Sequence, residues 1–265
     1  MGNPKVSVII ATLVRPTLRR TLASLYAQRG ARIGEDFEVI PWRSGRNEYD
    51  ARNLAAEEAR GEILAFLDDD AVAPRDYIIK GIAHFEDPRV MAMDTALEGD
   101  VRGKGVIRID VPYWGIGTTL WIRASAFREV GGFNACWGLD PCPRGWRSDT
   151  ALIYDVIDKY GEEAYVHAGD ITVQHPEMMK STFQPDVELA FYTKYRERVM
   201  RHIAPHDPRI CQLIAAVGPR EDREAAMNHL HSFVERGVMK EEEVREGISS
   251  MRKIVAELRR AGRIR

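Results

Sequence analysis

Cysteine is scarce: Cys136, Cys142 and Cys211 are the three cysteines in 265 residues. That is too few for a disulfide scaffold. In the reducing, cytoplasmic setting that is the default for this sequence, no structural disulfide is expected. Cys136 and Cys142 could face each other across a loop. The next histidine, however, is His167 and Cys211 stands alone, so a zinc site is poorly supported. No run of about 18 apolar residues occurs, and no transmembrane helix is predicted. The N-terminus lacks a basic segment followed by an apolar stretch and a small-residue cleavage site, so no signal peptide is read. The formal net charge is only -2 at pH 7, against the strongly basic balance expected of a nucleic-acid binder. Internal repeats and low-complexity tracts are also missing.

What is present is a substantial apolar fraction, 45%, enough to build a sizeable core. Val6 to Ala11 is a β-branched, nearly continuous apolar run, as in strands buried on both faces of a parallel sheet. Arg15 to Gln28 reads as a helix with Leu18, Leu22, Leu25 and Tyr26 on one face. Phe37 to Ile40 is a second strand. Asp50 to Arg60 is a second helix with Asp50 as its N-cap. Ile63 to Leu67 is a third strand, Pro74 to Phe85 a third helix and Val90 to Met93 a fourth strand. This alternation implies an α/β fold with a mostly parallel central sheet. Gly99 to Gly105 reads as a loop. Val106 to Val111 and Gly117 to Ile122 read as strands extending the sheet, and Ser125 to Val130 as a short helix. Ala135 to Arg147 is irregular, and Ser148 to Tyr160 is helical. Tyr165 to Val166 and Ile171 to Gln174 are short strands, and Asp186 to His202 is a helix. The chain closes with a helical hairpin, Arg220 to Arg236 and Glu241 to Arg260.

Three consecutive aspartates, Asp68, Asp69 and Asp70, follow the third strand directly. Ligands bind open parallel sheets at the carboxyl ends of the strands. Carboxylates this close repel unless something positive joins them. A hard divalent cation, Mg²⁺ or Mn²⁺, is the natural partner for oxygen ligands, and would offset charge on a departing diphosphate. The plainer alternative is a solvated acidic turn.

At this point the sequence resembles a family. VSVIIATLVRPTLRRTLASL, ARNLAAEEARGEILAFLDDD, GTTLWIRASAFREVGGFN and WRSDTALIYDV occur in the order seen in family 2 glycosyltransferases, over about Val6 to Pro176. The resemblance implies a GT-A fold, a Rossmann-like sheet with a metal-binding Asp-x-Asp. It implies that Asp68 and Asp70 hold the metal and diphosphate, with Asp69 near the donor ribose or sugar. Ala11, Thr12 and Arg15 match the family's nucleotide loop, and Arg52 matches its Ala-Arg-Asn stretch. Members often carry an acid at the end of strand two; here Pro41-Trp42-Arg43-Ser44 stands instead, and Trp42 could stack on a base. Gly117 and Thr118 match a segment near the donor sugar, and His175 could be a further metal ligand. The family's base matches Asp149, although the preceding acid is replaced by Ser148. A helix N-terminus favours ionised Asp149, as suits a base that must start unprotonated; Asp140 and Asp155 are the next acids to consider. Trp137 and Trp146 could stack on an acceptor sugar.

The reading is therefore a metal-dependent, inverting glycosyltransferase of hexosyltransferase type. It would use a nucleotide-diphosphate sugar and a saccharide or lipid-linked acceptor. A domain over residues 1–205, with a nucleotide half 1–98 and an acceptor half 99–205, would precede a helical extension over 206–265. A nucleotide-sugar binding protein without catalysis is one alternative. A nucleotidyltransferase is another, although ATLVRPTL lacks the glycines expected of its loop. In the last helix Val244, Ile248, Met251, Val255 and Leu258 are spaced 4, 3, 4, 3, a seam that serves intramolecular packing or a homodimer. Met251 to Arg265 holds six basic residues and one acid, either a solvated face or a peripheral contact with an anionic membrane.

Overall fold

The computed structural model of the protein describes residues 2–100, 105–139, 146–177 and 183–264. Two compact units emerge: residues 1–136 with 148–180, and residues 137–147 with 181–265. Among the described residues no helix is long and apolar enough to cross a membrane.

The first unit holds the sheet. Its strands are β1 (Val6–Ala11), β2 (Phe37–Trp42), β3 (Ile63–Phe66), β4 (Ala92–Asp100), β5 (Val106–Ile109), β6 (Trp121–Arg123) and β7 (Tyr165–Glu177). The path runs β2-β1-β3-β6-β4-β5, and β7 pairs with β4. Five of the seven described strands run one way, because β1, β2 and β3 pair in parallel, as do β4 and β7, and β6 reverses between β3 and β4. The mixed α/β fold with a mostly parallel sheet thus follows the expectation. The helices of this unit are α1 (Leu18–Tyr26), α2 (Glu48–Glu57), α3 (Tyr77–His84), α4 (Ala124–Glu129) and α5 (Ser148–Tyr160). Val6, Val8, Ile9 and Ile10 are fully buried, as the apolar run of β1 requires. Each such side chain contributes about 1.5–3 kcal/mol of burial free energy.

Several local expectations are corrected. The N-cap of α2 is Asn47, whose side chain accepts from Tyr49 and Asp50 N–H; Asp50 lies inside the helix and pairs with Arg46 at 2.8 Å. β2 runs through Pro41 to Trp42. Pro41 carries no N–H, and β2 tolerates it as an edge strand. Gly117–Thr119 is a 3₁₀ turn and only Trp121–Arg123 is a strand, since Gly117 and Thr118 turn toward the site described below. β4 continues to Asp100, where a loop was expected. The two short strands after residue 165 are one bulged strand, β7. Cys136 is disulfide-bonded, which overturns the expectation of no disulfide; Cys142 lies outside the described residues, and Cys211 is free and buried.

The second unit contains α6 (Pro185–Lys194), α7 (Arg196–Arg198) running into a π turn at Val199–Ile203, α8 (Pro208–Val217), α9 (Arg220–Glu235) and α10 (Glu241–Arg260). The sequence reading carried one helix to His202 and assigned nothing over α8. Yet α8 buries Ile210, Cys211, Leu213 and Ile214 completely, with Asp207 capping its start. In α10, Val244 and Val255 of the seam are buried, and Gln212 of α8 donates to Glu243 O at 3.1 Å. The seam therefore packs within this unit. Arg147 is 7% exposed and lies 3.1 Å from Glu188 and 3.2 Å from Asp207. Burial raises the Glu188 carboxyl, and the Arg147 charge opposes that shift.

Candidate active site

The carboxyl ends of β1, β2 and β3 meet as the parallel sheet requires. Ala11 is in register with Trp42, and Thr12 N–H donates to Trp42 O at 2.9 Å. Trp42 is half-buried with its indole Nε1 buried and unpartnered. Thr12 Oγ1 donates to Asp69 Oδ2 at 2.6 Å and also accepts Val14 N–H at 2.8 Å. Val14 sits at φ 60°, a left-handed conformation that costs a β-branched residue energy. Its strain marks this loop as a built feature. Arg15, 54% exposed, bonds Asp69 and lies 3.5 Å from Asp70.

The three aspartates divide their work. Asp69 is 1% exposed and committed to Thr12 and Arg15, so it braces the loop after β1. Asp68 and Asp70 turn the other way, toward His175 on β7. That strand is brought alongside by the paired hydrogen bonds of Val72 and Gln174, at 2.7 and 3.0 Å. His175 Nε2 lies 3.1 Å from Asp70 Oδ1 and 3.7 Å from Asp68 Oδ2. One ligand atom from each of the three lies within 4.8 Å of the others. Two carboxylate oxygens and an imidazole nitrogen are a set that could hold Mg²⁺ or Mn²⁺. Burial works against a charged His175, but its bonds to Asp68 and Asp70 outweigh it, and the pKa is raised to about 10. Burial likewise opposes ionisation of Asp68, yet His175, Arg52 and Thr118 hold its carboxyl well below the usual range.

Arg52 is the buried centre. It is 2% exposed, bonds Asp68 Oδ1 at 2.5 Å, and lies 5.0 Å from the Tyr49 ring and 5.9 Å from the Phe133 ring. The sequence allowed a surface position or a nucleotide contact. The structure encloses Arg52 and so takes it off the helix surface, with Nε and Nη1 unpartnered.

Asp149 stands in the first turn of α5. Its Oδ2 accepts Gly117 N–H at 2.9 Å and its Oδ1 accepts Thr150 N–H at 2.8 Å; Tyr49 O–H also donates to it. The helix terminus was expected to favour the ionised form. Burial wins instead, and the pKa is raised, with these hydrogen bonds and Arg52 opposing the shift. Thr118 Oγ1, next in sequence to Gly117, donates to Asp68 Oδ2 at 2.5 Å. Gly117 and Thr118 thus brace the two carboxylates. A β-carbon on Gly115 would lie 2.6 Å from the Thr150 backbone, so only glycine permits this approach at φ 59°.

Two residues escaped the sequence reading, Tyr49 and Glu48. Both lie in the first turn of α2, three and four residues before Arg52, a spacing that puts them on one helix face. Glu48 keeps contact with solvent while protein atoms crowd it. That crowding outweighs the attraction of Arg52, and with Asp68 and Asp149 also near, its pKa is pushed up to about 7.

Trp137 and Trp146 belong to the second unit. Trp137 Nε1 donates to Trp146 O at 3.0 Å, and its ring lies 5.9 Å from Phe191; Trp146 Nε1 donates to Glu188. Both indole N–H groups therefore anchor that unit. Asp155 lies further along α5, and Asp140 lies outside the described residues.

Residues 33–108 match the family described as glycosyl transferase family 2. No curated protein matches the chain. Among solved structures, S. aureus TarS 1-349 is similar with a TM-score of 0.53 and 16% identity, covering 97% of this chain and 92% of that one. TarS 1-349 in complex with UDP-GlcNAc gives 0.53 and 16%, covering 98% and 92%. Mannosyltransferase PcManGT from Pyrobaculum calidifontis, in complex with GDP-Man and Mn²⁺, gives 0.54 and 16%, covering 96% and 86%. Identities this low speak for the fold alone. Residues 33–108 thus match glycosyl transferase family 2, and the chain shares the fold of these solved glycosyltransferases.

Proposed function

We propose that the chain transfers a sugar from a nucleotide-diphosphate donor to an acceptor hydroxyl, with the help of Mn²⁺ or Mg²⁺ and with inversion at the anomeric carbon. The observation that carries this reading is the bracing of Asp68 and Asp149 by consecutive residues, Thr118 and Gly117. It sets a metal-type carboxylate beside a base-type carboxylate. The family match supports transfer as the reaction. The solved neighbours that hold UDP-GlcNAc, or GDP-Man with Mn²⁺, support the donor class and the metal.

Asp68, Asp70 and His175 would hold the metal, which when bound would neutralise charge on the leaving diphosphate. Arg15, anchored by Asp69 yet half exposed, offers its remaining N–H groups to phosphate. Ala11, Thr12 and Trp42 form the wall for the base. Asp149 accepts the proton of the acceptor hydroxyl. A raised pKa makes it a stronger base, and the N–H groups of Gly117 and Thr150 fix the direction of its lone pairs. Displacement by a hydroxyl deprotonated at Asp149 would be direct and inverting.

The test is a thermal-shift screen of nucleotide-diphosphate sugars with Mn²⁺, since a ligand that binds only the folded chain raises its melting temperature. Product configuration would then be read by NMR. No stabilisation by any donor would overturn the reading. Stabilisation without transfer or hydrolysis would leave a binding protein.

A further inference from the structure

Away from the metal ligands, the first unit contains a second cluster of titratable groups. Asp94, on β4, is fully buried. Its Oδ1 accepts Tyr165 O–H at 2.8 Å and faces His167 Nδ1 at 2.7 Å. Its Oδ2 lies 3.4 Å from Ile116 N. The other ring nitrogen of His167, Nε2, lies 2.6 Å from Asp110 Oδ1. Tyr165 O–H in turn receives Tyr113 N–H at 3.0 Å.

The segment from Asp110 to Thr118 is therefore held on one side by β4 and β7. On its other side it carries Trp114 O, which accepts Thr150 Oγ1 at 2.5 Å, and Gly117 N–H, which donates to Asp149. Tyr113 sits at φ 68°, a conformation that must be held by its surroundings. A neutral imidazole has one N–H and could serve only one carboxylate. Short approaches of both ring nitrogens to Asp94 and Asp110 are satisfied when the ring is an imidazolium that donates twice.

We propose that His167 is a positioning residue: by bridging Asp94 and Asp110 it clamps the segment Asp110–Thr118, and through Gly117 it holds Asp149 in its working orientation. The inference rests on the transfer reading given above for Asp149, but the clamp itself does not. The charges around His167 are few. Asp94 and Asp110 face it and raise its pKa, against the effect of burial. Arg108 of β5 is occupied with Asp110, Thr172 and Gly169 O. Tyr165 lies on the same strand. From α3, Lys80 and His84 reach Asp170 and leave His167 to its two acids.

The experiment is amide hydrogen exchange on the full chain, followed for Tyr113, Ile116 and Gly117, with α9 and α10 as internal controls. In His167→Gln these three amides exchange about tenfold faster, as expected when a charge-assisted hydrogen bond is lost, while the controls keep their rates. Asp110→Asn, at an exposed position, gives the same direction of change without endangering the fold, and serves if His167→Gln does not fold. In the wild type, after correction for intrinsic rates, protection of the segment falls as pH rises through the raised His167 pKa. The two variants lower kcat with donor KM unchanged and lose that alkaline limb. Unchanged exchange in folded His167→Gln or in Asp110→Asn overturns the clamp. Because exchange needs no turnover, a wild type without transfer counts against the functional reading alone.

Discussion

Gly117 donates its backbone N–H to Asp149 Oδ2 at 2.9 Å, and a β-carbon on Gly117 would stand 2.8 Å from Arg52 Nη1 and 2.9 Å from that same oxygen. Arg52 has little room to retreat, enclosed by Tyr49, Phe66 and Phe133. Gly117→Ala should fold, with a loss of about 1–3 kcal/mol from overpacking, and should lose most of its kcat. Chemical denaturation and initial rates check both parts. Wild-type turnover in this variant would show that the contact does not matter.

Asp149→Asn keeps the size of the side chain and removes the proton acceptor. Transfer should fall by about 10²–10⁴-fold, the usual worth of a general base, while donor affinity barely moves. Tyr49→Phe should act more mildly. By removing one donor to the carboxylate it raises the Asp149 pKa further and moves the acid limb of the rate profile upward. Loss of donor binding in Asp149→Asn would assign that residue to the donor side.

Metal binding should depend on pH in a defined direction. With the His175 pKa raised to about 10, the metal must displace a proton from the imidazole, so affinity rises with pH below that value. Calorimetry with Mn²⁺ in buffers of different ionisation enthalpy should find about one proton released per ion. EDTA and Asp70→Asn should weaken donor binding equally. Donor affinity that ignores EDTA would remove the metal from the mechanism.

Glu48 gives a stability signature in the metal-free chain. Its folded pKa is pushed up to about 7, above the ordinary value of 4.5. Between those values the folded state binds more protons than the unfolded one, so stability falls as pH rises across that window. Glu48→Gln should flatten this slope in thermal melts. An unaltered slope would mean that Glu48 is not the group responsible.

Much of the site was legible because local chemistry dictates it. An apolar β-branched run makes β1, and an acidic triplet after β3 falls at a carboxyl end. Asp149 was singled out by the family resemblance, and α5 does begin at Ser148. Other features left little trace along the chain. The short helix α8 offers only Arg209 and Gln212 as a polar face, and most of its other residues are enclosed. Asn47 displaced Asp50 as cap because the side chain that reaches the first N–H groups is fixed by backbone direction. Residues of one type were also sorted by surroundings: Asp68 and Asp70 face His175, whereas Asp69 turns under Arg15.

The sequence by itself determined the alternation of strands and helices, the position of the acidic triplet and the carboxylate at the start of α5, because hydrophobic period and residue chemistry act over a few neighbours. Only the tertiary structure decided that His175 joins Asp68 and Asp70, that Arg52 is buried between Asp68 and Tyr49, and that Gly117 meets Asp149. Those pairings span up to 107 residues of chain, from Asp68 to His175. They depend on strand order and on close backbone approaches, quantities that no local window of sequence contains.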